Sequence, residues 1–228
     1  MDRPKIDGWD APPAREPMFN APWTIVALGA ALIALYGVQS LLMTDSQVEA
    51  WGVTPEALAS GRWQTLLTSL FLHGSWPHVL MNSVAIIAFG PPVTRMMGLG
   101  ARGAAVFFAF YLACGVLSGL GFAIADALFD PKHLPAVGAS GAVSGLLGAA
   151  SRLIQGHGRI GPIFGSTVIG MAAAWAIVNV VLGVSGLTPG AEGIPVAWQA
   201  HLAGYAAGLF LIGPFARLAG LTGEAFTQ

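Results

Sequence analysis

Ser140 lies in Gly138-Ala139-Ser140-Gly141-Ala142-Val143-Ser144-Gly145, where a polar loop gives way to an apolar run. Upstream, Pro131-Lys132-His133-Leu134-Pro135 cannot continue a helix, and Ala142 to Ala150 downstream holds only small and apolar residues. Ser140 is therefore expected in the first turn of a helix. Free backbone N–H groups and the positive end of the helix dipole would face any oxyanion formed beside its hydroxyl, which is what acyl transfer on a serine requires. The bland alternative is a serine N-cap on a helix whose glycines serve close packing. The Gly-x-Ser-x-Gly elbow of α/β-hydrolases is absent, because Ala142 stands where the last glycine would be.

A base is offered by His201, which opens His201-Leu-Ala-Gly204-Tyr-Ala-Ala-Gly208. In a helix these glycines fall one and two turns along the face that carries the imidazole, and Gly141, Gly145 and Gly148 repeat the device behind Ser140. Glycine faces let backbones approach closely, and only close approach brings an imidazole within about 3 Å of a short serine side chain as general base. His78 and Asn82 share a helical face and can both donate, so with the Ser140 amide they could form an oxyanion hole. Each histidine has a plain alternative: His201 satisfied by a neighbouring carbonyl, His78 and Asn82 pinning a helix or holding a water. Asp126 and Asp130 are candidates for a third member, but nothing directs either to His201, so a Ser140–His201 dyad is the simpler reading.

The elements that must position these residues are membrane spans. The 228 residues are 55% hydrophobic and only 9% charged, the pattern of an all-α polytopic membrane protein. A net charge of -1 gives no basic surface for nucleic acid, and the single Cys114 excludes a disulfide framework. The scattered histidines lack metal-site companions, so no metal site stands out.

Residues 1–21 read as a polar tail and 219–228 as a short C-terminal one, flanking a six-span unit over 22–218. The spans are expected near Pro22–Met43, Pro77–Met97, Ala104–Phe129, Ser140–Arg152, Ile163–Val184 and Val196–Phe215. Between the first two, residues 44–76 mix charges with Trp51, Trp63 and Trp76 and are expected to lie in the interface. Arg3, Lys5, Arg15, Arg95, Arg102, Arg152, Arg159 and Arg217 fall on one side and only Arg62 and Lys132 on the other, which puts both termini in the cytoplasm. Ser140, His201, His78 and Asn82 then share one depth near the outer face.

These residues resemble the rhomboid family of intramembrane serine proteases. His73-Gly-Ser-Trp-Pro-His78-Val-Leu-Met-Asn82 is similar to the family's His-x4-His-x3-Asn, Gly138 to Gly141 to its Gly-x-Ser-Gly, and His201-x2-Gly204-x3-Gly208 to its last helix. The resemblance implies a six-helix rhomboid-type bundle with an interfacial first loop, hydrolysing peptide bonds in or near transmembrane segments of single-span membrane proteins. It implies Ser140 as nucleophile, His201 as general base, His78 and Asn82 as oxyanion donors, and no cofactor. The compact form without a targeting peptide points to a bacterial inner membrane. Two positions depart from the family: Gln64-Thr65 where many members have Trp-Arg, and Ser144 where some carry an aromatic that stacks on the histidine. The competing reading is an inactive rhomboid-like protein that binds transmembrane helices. A small-solute transporter would need inverted repeats or mid-membrane charges, and neither is present.

Overall fold

The first span, Trp-Thr-Ile-Val through Gln-Ser-Leu-Leu, contains no charged residue and forms helix α1 (Trp23–Leu42). The computed structural model describes residues 21–129, 134–185 and 196–222. Residues 1–20 of the expected tail, most of 219–228, Asp130, Lys132 and His133 lie outside the described residues.

The stretch between α1 and the next long helix folds as short pieces, the first two started by threonine caps. Thr44 and Gln47 form a reciprocal capping box on α2 (Asp45–Trp51), and Thr54 caps α3 (Pro55–Ala59), whose first position is proline. Then come α4 (Thr65–Thr68) and a 3₁₀ turn (Ser69–Phe71). Trp51, Trp63 and Trp76 are about half exposed, as suits rings at a membrane boundary. Arg62 Nη1 donates to the Ala50 carbonyl at 2.9 Å and Thr68 Oγ1 to the Trp51 carbonyl at 3.0 Å, so the residue before Trp63 ties the loop to α2.

Ser75 caps α5 (Trp76–Met97), and the long helices α6 (Ala101–Phe129), α7 (Ser140–Gln155), α8 (Ser166–Ser185) and α9 (Trp198–Leu218) follow. Four helices among the described residues are long and apolar enough to cross a membrane: α1, α5, α6 and Ser166–Gly183 of α8. This is an integral, multi-pass, all-helical membrane protein. α7 and α9 differ for a physical reason. α7 has 16 residues, shorter than the ~20 a bilayer core takes, and it is buried among α5, α6, α8 and α9 rather than facing lipid. α9 gives up hydropathy to Gln199, His201 and its glycines.

The glycines place the α7 and α9 backbones in direct contact. A Cβ on Gly204 would lie 2.0 Å from the Gly141 carbonyl oxygen, and one on Gly208 would lie 1.9 Å from that of Gly145. Across the other side of α7, Ser118 of α6 fills the space at Gly141 and donates to the Ala200 carbonyl at 2.7 Å. Three helices are thereby locked at the level of Ser140.

Candidate active site

Ser140 is the first residue of α7, with Ala139 as N-cap, so its amide is among the helix's unpaired donors. Its Oγ lies 2.7 Å from His201 Nε2, the imidazole coming from the first turn of α9. The close glycine contact between these helices supplies the approach that the pair needs.

His78 belongs to the first turn of α5, and its position depends on Gly138. That glycine has φ +126°, a region side chains rarely adopt, and a Cβ there would lie 2.7 Å from His78 Cε1 and 2.8 Å from Nε2. The His78 ring therefore rests on the backbone just before Ser140. The Gly74 amide donates to His78 Nδ1 at 3.4 Å, which leaves the proton of a neutral ring on Nε2, the atom turned toward that backbone. Asn82, one turn further along α5, is 5% exposed, and its Nδ2 has no hydrogen-bond partner among the described residues. A buried donor of that kind costs stability unless something is held for it to bind.

His73, in the loop before α5, is tied to neighbouring backbone and to α1. Its Nε2 accepts from the Ala139 amide at 3.5 Å, and Gln39 of α1 brackets its backbone, donating to the carbonyl at 2.7 Å and accepting from the amide at 3.0 Å. Burial, with the His78 ring beside it, pushes the His73 pKa down to about 3, so the ring is neutral. Beside Ser140 a cavity runs between the interfacial loop, α6 and α9, walled by Leu70, Gly115, Ser118, Gly138 and Ala200.

His201 has a second polar neighbour besides Ser140. Its Nδ1 meets the side-chain oxygen of Asn179 on α8, a residue the sequence reading passed over. Asp126, the acidic candidate that can be placed, is buried in the last turn of α6. Trp175, one turn before Asn179, lies against His201 with ring centroids 6.2 Å apart and planes 36° apart. Support for the imidazole thus comes from α8, whereas Ser144 turns back to donate to the Ser140 carbonyl at 2.8 Å. A signal was present: Asn179 is a strongly polar residue inside an otherwise apolar span, which is by default a functional position.

A half-buried serine at a helix N-terminus, paired with a histidine inside a helical membrane frame, places the chain among multi-pass helical membrane proteins with a serine–histidine pair at their centre. Residues 60–217 match the Rhomboid domain, and the chain belongs to that family. It is 32% identical over 126 residues to YdcA of Bacillus subtilis (strain 168), a match covering 54% of this chain and 57% of that protein. It is 33% identical over 128 residues to rhomboid protease GluP of the same organism, covering 56% of this chain and 23% of GluP. RHOMBOID-like protein 4 of Arabidopsis thaliana is 35% identical over 151 residues, covering 65% of this chain and 32% of its own length. The matched part thus spans little more than half of YdcA and under a third of GluP.

Proposed function

We propose that this chain is an intramembrane serine endopeptidase that hydrolyses peptide bonds in or near the transmembrane segments of single-span membrane proteins. The observation that carries this reading is the 2.7 Å contact of Ser140 Oγ with His201 Nε2 at the N-terminus of α7. In the proposed reaction Ser140 gives its proton to His201 Nε2 as Oγ bonds to the scissile carbonyl carbon, and the carbonyl electron pair moves onto oxygen. The oxyanion is held by the Ser140 amide, His78 Nε2–H and Asn82 Nδ2–H. The C–N bond then breaks, the leaving amine takes the proton from His201, and water hydrolyses the acyl-serine with His201 again as base.

In this reading α1, α5, α6, α7, α8 and α9 all cross the bilayer, with 22–218 as one catalytic unit surrounded by lipid. The starts of α5, α7 and α9 face the outer side and both termini face the cytoplasm, as the distribution of Lys and Arg supports. The membrane is a bacterial inner membrane in this reading.

The test is cleavage of a single-span substrate by purified protein in detergent. Ser140→Ala and His201→Ala are each expected to lower kcat by about 1,000-fold or more. An active Ser140→Ala protein would overturn the proposal. If wild type and both variants are equally inert yet bind the substrate helix, the chain is instead a helix-binding, inactive rhomboid-like protein.

A further inference from the structure

Asn179 is 2% exposed, although its neighbours on α8, Ile177 and Val178, are 64% and 48% exposed. An amide in a membrane span is expensive unless both of its ends are engaged, and here they are. Nδ2 donates to the Trp175 carbonyl at 2.8 Å, and Oδ1 meets His201 Nδ1. These contacts fix more than packing. A backbone carbonyl only accepts, so the end of the amide facing Trp175 must be the NH2 group, and the end facing the ring must be oxygen. An amide oxygen also only accepts, so His201 must present Nδ1–H to it. A neutral imidazole carries one proton, which leaves Nε2 bare. Nε2 is the atom 2.7 Å from Ser140 Oγ.

We infer that Asn179 is a positioning residue: through Trp175 and its own amide, α8 holds His201 in the Nδ1–H tautomer whose free Nε2 can take the Ser140 proton. Its catalytic consequence rests on the proteolytic reading above. The other tautomer would place a hydrogen on Nε2 and present no lone pair to the serine. As a neutral acceptor, Asn179 orients the ring without introducing a buried charge. A carboxylate at this depth would need a partner of its own. With Trp175 against the same ring, α8 supplies both the orientation and the aromatic contact that position 144, a serine, does not.

The experiment pairs kinetics with the nitrogen resonances of His201, assigned in 15N-histidine-labelled full-length protein by comparison with His201→Ala, in the alkaline range where the ring is neutral. Wild type is expected to show a protonated Nδ1 and a bare Nε2. Asn179→Ala should move the ring toward the Nε2–H form and lower kcat on the order of ten- to a hundred-fold while KM stays nearly constant. Should Asn179→Ala fail to fold, Asn179→Gln displaces the oxygen by one methylene and gives the same ring readout. An unchanged ring signature in the alanine or glutamine variant overturns the inference, and so does a loss of kcat without a change of tautomer. A wild-type protein inert on every substrate would overturn the proteolytic reading alone, because the ring signature is read without turnover.

Discussion

Asn82 carries a buried amide donor with no partner among the described residues, and that cost has an expected return in the proposed reaction. In that reaction its Nδ2 is available to an oxygen that becomes charged only during catalysis. Asn82→Ala should therefore leave thermal stability unchanged or slightly raised while kcat falls on the order of 100-fold. Parallel unfolding and turnover measurements check this, and a large loss of stability would show that the side chain holds α5 instead. His73 gives a prediction of a different kind. Its pKa is pushed from 6.5 to about 3 by burial, with the His78 ring adding to the effect. Below about pH 6.5 the unfolded chain binds a proton at this position that the native protein refuses, so the native state loses stability as pH falls through that range toward 3. Above 6.5 the contribution of His73 is flat. His73→Gln should reduce the slope of unfolding temperature against pH in the acidic range, relative to wild type in the same detergent.

At the scale of the helices, the site exists because two backbones touch. Gly208→Val would drive side-chain atoms into the Gly145 carbonyl, whose oxygen already lies 1.9 Å from the Cβ position. The helices must separate, with a destabilisation of about 3 kcal/mol or more and loss of the Ser140–His201 contact. Gly170 of α8 is the control: nothing lies within 4 Å of a Cβ there, so Gly170→Ala should be neutral or stabilising by up to about 1 kcal/mol. Unfolding temperature and turnover for both variants decide the matter. The same contrast explains what the sequence made readable. Gly141, Gly145, Gly204 and Gly208 repeat at one-turn spacing, so their common faces follow from helix geometry, and with them the pairing of Ser140 and His201. Asn179 is different. Its polarity was visible, but its partner depends on how α8 rotates and tilts against α9, which packing of distant side chains sets and no local spacing encodes. The anchoring by Arg62 was hidden likewise, since its acceptor is a backbone carbonyl rather than a side chain with a recognisable type.

At the scale of the whole molecule, the match to the Rhomboid domain begins at residue 60, yet the support of the site reaches back into α1. Gln39 engages both the amide and the carbonyl of His73, and its neighbour on α1, Tyr36, packs edge-on against Trp76 with centroids 4.9 Å apart. His73 in turn accepts from the amide of Ala139, the residue that caps α7. A chain of contacts therefore runs from α1 through the loop before α5 to the backbone beside Ser140. Breaking it at Gln39 leaves the His73 backbone groups buried without partners, a cost of about 1–3 kcal/mol. The loop then loosens, and with it the placement of His78 and the N-terminus of α7. Gln39→Ala should lower unfolding temperature and reduce kcat about tenfold, while Gln39→Glu, which keeps an acceptor but loses the donor to the His73 carbonyl, should fall no closer to wild type. If Gln39→Ala lowers stability but leaves kcat intact, α1 serves as a brace for the bundle alone, and the placement of the site is set wholly within the matched domain.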